Sequence, residues 1–260
     1  LHDWLPDAHS VAPTPASAIL SGLAIKGYII CLLKVLYNVF GQTLLQSFAI
    51  HKILVLAGTV AIIAGSISAL MQSELKRRLA FSTVAQVGYI ILGLGLVNAK
   101  GLTGMLFYLV SHAVIKSTLF LSAGAMISAT GKKNIKELAG VGRKMPITMA
   151  AFTISSLGLI GIPLFSGFVG KWNMLLGDLE AGNIIAAIAI IVGSVLCAAY
   201  LLPVIRIAYF ESAPGMDYKD PGLFQKIALI MLATAVVILG VVPGPFLELA
   251  SRAAAQLLAF

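Results

Sequence analysis

Long apolar runs follow one another along the chain, and they constrain its fold more than any other feature. The stretch IHKILVLAGTVAIIAGSISAL, residues 50–70, is typical, with its only ionisable side chains at one end. About 20 such residues in an α-helix cross a bilayer core of about 30 Å. The whole chain is 59% hydrophobic and only 11% charged, with a mean hydropathy of +0.99. A soluble domain carries about a quarter charged residues, so we predict an all-α membrane protein.

We predict seven membrane spans, and we expect the fifth to be a broken helix. That span contains GLIGIPLFSGFVG, in which Pro163 and four glycines interrupt the helical hydrogen bonding. It is also longer than one bilayer crossing needs, which favours unwound backbone inside the protein. The spans cover about residues 13–40, 50–72, 79–97, 102–129, 146–176, 184–210 and 224–242.

The distribution of lysine and arginine between the loops predicts the orientation. Eleven of the 18 basic residues lie in one set of connections, and four (Lys34, Lys52, Lys100 and Arg252) lie in the other. The richer set is expected on the cytoplasmic side, which places Leu1 inside and Phe260 outside a prokaryotic cell membrane. These short basic loops explain the net charge of +8, so we expect no nucleic-acid partner.

Three lysines remain within the predicted spans: Lys26, Lys116 and Lys171. Lys26 and Lys116 lie about 20 Å into their helices, where a charged side chain costs about 2.5–3.5 kcal/mol. His112 precedes Lys116 by four residues, which places both on one helix face. Amines and imidazoles exchange protons when a neighbouring charge changes, so this pattern favours a proton relay.

Three simpler interpretations stay open at this point. A lysine can extend its stem along the helix toward the membrane interface, and this applies to Lys26 and Lys116. His112 can be a hydrogen-bonded core residue, and Lys171 can be interfacial. No acidic residue lies at mid-span beside them, although hydroxyl and amide side chains that can hold water are near (Ser82, Thr83, Gln86 and Ser111).

Redox and metal chemistry are not indicated by the sequence. Cys31 and Cys197 stand alone in apolar spans, where cysteine is most simply a small packing residue. The sequence contains no CxxC pair, no clustered His/Cys site and no haem attachment signature. We therefore expect no cofactor, no bound metal and no active site of its own in this chain.

Four motifs identify a resemblance to a known family. They are HDWLPDAHSVAPTPASAILSGLAIK, SELKRRLAFSTVAQVGY, SHAVIKSTLF and GIPLFSGFVGKWNML. In this order they cover essentially the whole chain, and together they resemble the antiporter-like proton-translocating membrane subunits. That family serves respiratory complex I, membrane-bound hydrogenases and the multisubunit Mrp-type cation/proton antiporters. The chain is most similar to the D-type subunit of the Mrp antiporters.

The resemblance implies a fold and a role for each buried lysine. The family has fourteen helices in two inverted repeats, each with a broken helix, and this chain resembles helices 8–14. Residues 1–12 would end a preceding broken helix, 13–72 would complete the first repeat, 79–210 would form the second, and 224–242 would be the last helix. Lys26 resembles a connecting lysine, His112 and Lys116 the central relay pair, and Lys171 the terminal relay residue.

The function implied is proton translocation through this relay within a multisubunit Na⁺/H⁺ or K⁺/H⁺ antiporter. Its partners would be other membrane subunits, H⁺, possible Na⁺ or K⁺, and lipid. One alternative is a proton-pumping subunit of a complex I-like NADH:quinone oxidoreductase or a hydrogenase. Another is a membrane scaffold that transports nothing. The family's glutamate–lysine pair of the first repeat would precede Leu1, so we expect no complete exchange by this chain alone.

Overall fold

The computed structural model describes residues 4–211 and 218–259, and within these residues the regular secondary structure is helical. Two short helical turns, Ile135–Leu138 and Val141–Lys144, lie between two of the longer helices. The longer helices are α1 Trp4–Val11, α2 Thr14–Ser47, α3 Ile50–Leu70, α4 Leu75–Leu94, α5 Ala99–Thr130, α6 Pro146–Ile160, α7 Ser166–Glu180, α8 Ile184–Phe210, α9 Leu223–Val241 and α10 Gly244–Leu258.

Five of these helices are long and apolar enough to cross a membrane, among the residues described: α2, α3, α5, α8 and α9. Helix α4 is of similar length, but its first turn carries Lys76, Arg77 and Arg78, which lower its mean hydropathy. The remaining predicted span is divided between α6 and α7. The expected all-helical membrane architecture is therefore confirmed.

The predicted break in the fifth span is present between α6 and α7. Gly161 ends α6 with φ 91°, a left-handed conformation that glycine adopts without steric cost. Leu164 also has a positive φ, of 75°. Helix α9 accommodates the unwound segment at Gly240, where an added Cβ would lie 2.3 Å from the Leu164 carbonyl oxygen. A small residue on the neighbouring helix thus lets irregular backbone lie inside the bundle.

Two boundaries differ from the sequence prediction. Helical structure in α2 continues to Ser47 rather than ending near residue 40. The π-helical segments Leu20–Ala24 and Val35–Phe40 belong to the part before Gly41, where the backbone is interrupted with φ 77°, and the segment Gly41–Ser47 follows that interruption. The span predicted at 224–242 is not the last helix, since α10 follows it after Pro243, a residue favoured at a helix start. Residues 1–3 of the predicted 1–12 segment, and Phe260, lie outside the described residues.

Helix α5 is the centre of the bundle. The most apolar window of α5 is 67% buried, against 22% for α9 and 28% for α3. Helices α4, α6, α7, α9 and α10 all pack against it. Most side chains of α5 are therefore buried, although Val110 is exposed, and its polar residues Ser111, His112 and Lys116 lie in the protein interior.

The end of the bundle where α4 begins and α5 ends is held by polar contacts. The Leu75 amide donates to the Lys133 carbonyl at 3.0 Å, and the Ile135 amide donates to the Ser73 carbonyl at 3.0 Å. The Arg78 guanidinium donates to the Tyr200 carbonyl of α8 at 3.0 Å. The loops on this side thus fix α4, α5 and α8 relative to one another.

Candidate proton-transfer site

Lys116 lies on α5 at the centre of the site and is fully buried. Its Nζ donates to the Leu79 carbonyl at 2.8 Å and to the Ser82 hydroxyl, both on α4. The ammonium group is thus directed across the α4–α5 interface rather than along its own helix toward the membrane surface. Hydrogen bonds to neutral oxygens hold the amine in place without neutralising a charge on it.

His112 lies one turn before Lys116 on α5 and is also fully buried. Its ring stacks on the Tyr108 ring, with centroids 5.9 Å apart and an interplanar angle of 18°. Neither ring nitrogen has a hydrogen-bond partner within the described part of the chain. Buried polar atoms are nearly always paired with protein or with ordered water, so this imidazole is available to a water molecule or a proton.

Lys26 lies on α2 immediately after the π-helical segment Leu20–Ala24, and only 4% of its surface is exposed. Its Nζ donates to the carbonyl oxygen of Ser21, within that segment. π-helical turns inside α-helices are frequent at functional sites, because they shift the register of the backbone groups. Here the shifted turn brings a carbonyl acceptor to a lysine that faces the bundle interior.

Two hydroxyl groups lie between Lys26 and Lys116. The hydroxyls of Ser21 and Thr83 are 2.9 Å apart. Thr83 also donates to the Leu79 carbonyl at 3.1 Å, and this is the same oxygen that accepts from Lys116. Carbonyl oxygens accept but do not donate, so the exchangeable protons between the two amines are those of the Ser21 and Thr83 hydroxyls, and a proton would need water to reach either amine.

Lys171 lies one turn into α7, and the helix break positions it. Its Nζ donates to the carbonyls of Leu159 at 2.8 Å and Ile160 at 3.2 Å, at the end of α6. The last carbonyls of a helix have no partner within that helix, so a lysine there satisfies groups that the break leaves open. Nζ also lies 3.2 Å from the Ser194 hydroxyl of α8 and 4.4 Å from the Tyr89 ring centroid.

The Tyr108 ring lies close to both His112 and Lys171. Its ring stacks on His112, and its centroid is 5.8 Å from Lys171 Nζ. Its hydroxyl donates to Gln86 Oε1 on α4. Sequence reasoning missed Tyr108 and Tyr89 because a tyrosine in an apolar span is most simply a core residue. The signal that was present is the spacing of Tyr108, which precedes His112 by four residues.

The buried lysines are not neutralised by acidic residues. Within residues 4–211 and 218–259, no carboxylate forms an ion pair with Lys26, Lys116 or Lys171. Asp178, a third residue that the sequence reasoning missed, is fully buried on α7 two turns beyond Lys171, and neither of its carboxylate oxygens has a hydrogen-bond partner among these residues. The described residues also contain no cluster of three metal-ligating side chains. The chemistry available is proton exchange between amines, imidazoles and hydroxyls.

The sequence matches one family model, described as NADH:quinone oxidoreductase/Mrp antiporter, TM, over residues 1–197. It is 40% identical over 214 residues to NADH-quinone oxidoreductase subunit N of Desulforudis audaxviator, covering 82% of this chain and 42% of that protein. It is 34% identical over 252 residues to subunit M of Rickettsia felis, covering 95% and 50%. The chain spans about half the length of the curated relatives it matches.

Solved structures of three kinds of complex have a similar chain. The Mrp complex of a Dietzia species matches with a TM-score of 0.89 and 27% identity, covering 99% of this chain and 56% of that one. The archaeal membrane-bound sulfane sulfur reductase matches with a TM-score of 0.90 and 28% identity, covering 98% and 52%. Respiratory complex I from Thermus thermophilus matches with a TM-score of 0.81 and 28% identity, covering 99% and 55%.

Proposed function

Because the chain belongs to the NADH:quinone oxidoreductase/Mrp antiporter membrane family, we propose that it moves protons across a membrane through Lys26, Lys116, His112 and Lys171. One observation carries this proposal most directly. Lys116 is fully buried in the central helix, bears no ion pair within the described residues, and donates only to neutral oxygens. A bundle that needed only packing at this position would be served better by an apolar residue.

The contacts support one order of the groups along the proposed pathway. The hydroxyls of Ser21 and Thr83 lie between Lys26 and Lys116, and water is needed to pass a proton from them to either amine, because the Leu79 carbonyl only accepts. His112 lies one turn from Lys116 on α5, and Tyr108 lies between His112 and Lys171. Each amine or imidazole takes up a proton from one neighbour and releases it to the next, with water completing the longer steps.

The surrounding assembly would be a multisubunit membrane complex, in a cell membrane whose cytoplasmic side faces the basic end of α4. The first candidate is a Na⁺/H⁺ or K⁺/H⁺ antiporter, supported by the likeness to the Mrp complex over 99% of this chain. The second is a proton pump driven by quinone chemistry in other subunits, supported by the 40% identity to an NADH-quinone oxidoreductase subunit N. Identification of the co-purifying subunits distinguishes the two.

The test of the relay is Lys116→Ala in the intact complex that contains the chain, reconstituted in liposomes with a pH-sensitive dye inside. We expect proton translocation to be abolished while the complex assembles normally, because the variant removes the proton carrier and also a costly buried amine. Lys34→Ala is the matched control, since Lys34 is exposed on α2 and lies outside the proposed pathway. Wild-type translocation by Lys116→Ala would refute the relay and favour the scaffold alternative.

A further inference from the structure

His9 is a second buried histidine without a hydrogen bond at its ring. Its side chain is fully buried on α1, and neither ring nitrogen has a partner among the described residues. His51 provides the contrast, because it is partly buried and its Nδ1 lies 3.0 Å from the Leu45 carbonyl oxygen. His9 therefore shares with His112 the property of a buried imidazole that is open to a proton or a water molecule.

The position of His9 relative to Lys116 is set by Phe120. The His9 ring stacks on the Phe120 ring, with centroids 4.6 Å apart and an interplanar angle of 20°. Lys116 Nζ lies 5.8 Å from the centroid of the same ring. His112, Lys116 and Phe120 follow one another at intervals of four residues on one face of α5. His9 thus lies beyond Lys116, on the side away from His112.

Helix α1 is attached to the basic end of the bundle. Lys76 Nζ of α4 donates to the Ala12 carbonyl at 3.1 Å, just beyond the end of α1. Arg77 forms an ion pair with Asp7, with an N–O distance of 3.4 Å. Lys76 is partly exposed, and Arg77 is exposed. Among the described residues, the ionisable groups around His9 are therefore Lys116 from α5, Lys76 and Arg77 from α4, and Asp7 from α1 itself.

We propose that His9 is a proton-transfer residue that connects this surface with Lys116. One ring nitrogen binds a proton delivered by water near Lys76, and the other releases its proton to the neutral amine of Lys116 directly or through water. The imidazole ends neutral in its second tautomer, and only N–H bonds are made and broken. The inference rests on the proposed function, which it extends from the centre of the membrane to one surface of the protein.

A role in packing alone would give the same burial and the same stacking on Phe120. His9→Phe separates the two roles, because phenylalanine can keep the ring stacking but carries no proton. His9→Ala provides the complementary test. It leaves a space into which added imidazole can bind, as small apolar and aromatic molecules bind in cavities made by truncation.

The experiment measures proton translocation by the intact complex in liposomes for His9→Phe and for His9→Ala with and without imidazole. We expect His9→Phe to slow translocation by about 100-fold, the lower end of the range of about 10²–10⁴-fold for a positioned proton-transfer group. We expect imidazole to restore a substantial part of the rate of His9→Ala. His51→Phe is the control and should keep the wild-type rate, because His51 lies outside the pathway.

The outcomes separate the inference from the function on which it rests. Loss in Lys116→Ala with a normal rate in His9→Phe would overturn the role of His9 and leave the relay standing. A normal rate in Lys116→Ala would overturn both. If His9→Phe does not assemble, His9→Ala decides: recovery with imidazole supports proton transfer, and an unchanged low rate with imidazole in an assembled complex overturns it.

Discussion

The contact between α3 and α4 at Gly58 and Gly88 gives a prediction about stability that the structure makes quantitative. A Cβ on Gly58 would lie 2.5 Å from the Leu92 amide nitrogen and 2.6 Å from the Gly88 carbonyl oxygen. Both are backbone atoms of α4, so the methyl group of Gly58→Ala cannot be accommodated by a side-chain rotation. The two helices must separate locally. Overpacking of this kind costs about 1–3 kcal/mol.

Gly27 on α2 provides a control in which an added methyl group should not lower stability. Gly27 lies in α2, is exposed, and has no atom within 4 Å of its ideal Cβ position. Gly27→Ala therefore adds the same methyl group without a clash, and alanine is favoured over glycine in a helix by about 1 kcal/mol. We expect Gly58→Ala to lower stability and Gly27→Ala to leave it unchanged or raise it slightly.

The assay is thermal unfolding of the purified full chain in detergent, followed by circular dichroism. For a protein of this size, 1 kcal/mol corresponds to about 2–4 °C in Tm, so Gly58→Ala should lower Tm by about 2–12 °C. A Tm for Gly58→Ala at or above that of Gly27→Ala would refute the reasoning. It would mean that α3 and α4 are not held at backbone contact distance at this point.

Two further predictions address single residues. Lys26→Arg should impair proton translocation in the liposome assay, because a guanidinium stays protonated and cannot pass its proton on; a wild-type rate would instead favour a lysine that serves only packing. Asp220 accepts from the Ile147 and Thr148 amides at 3.2 and 3.0 Å and so caps α6. A helix cap contributes about 0.5–2 kcal/mol, so Asp220→Ala should lower Tm by about 1–8 °C. An unchanged Tm in Asp220→Ala would show that the start of α6 does not depend on this cap.

The helix ends show where sequence reasoning stops being sufficient. The break between α6 and α7 was predictable, because glycine and proline disfavour a continuous helix wherever they occur. The segment Gly41–Ser47 at the end of α2 was not predicted, although the interruption at Gly41, with φ 77°, lies next to the predicted end of the span near residue 40. Helix α10 was missed because it is short and carries the Glu248–Arg252 pair, so it does not have the composition of a span.

The candidate site also contains some residues that the sequence identifies and others that only the structure identifies. The sequence identified four candidate residues, because an ionisable residue inside an apolar run is costly whichever way the helix is rotated. They are Lys26, His112, Lys116 and Lys171. His9 was not identifiable, since it precedes the first predicted span and nothing local distinguishes it from a surface histidine. Its burial depends on Phe120, which lies more than a hundred positions away in the chain.

The sequence by itself determined that this protein is an all-helical membrane protein, where the fifth predicted span is broken and which ionisable residues lie within apolar runs. These follow from hydropathy, length and backbone chemistry, which act over a few neighbouring residues. Only the tertiary structure decided which oxygens accept from each lysine, which rings lie between them and which end of the bundle His9 faces. Those contacts join residues far apart in the chain, and they depend on how each helix is rotated and how closely its small residues let it approach the next.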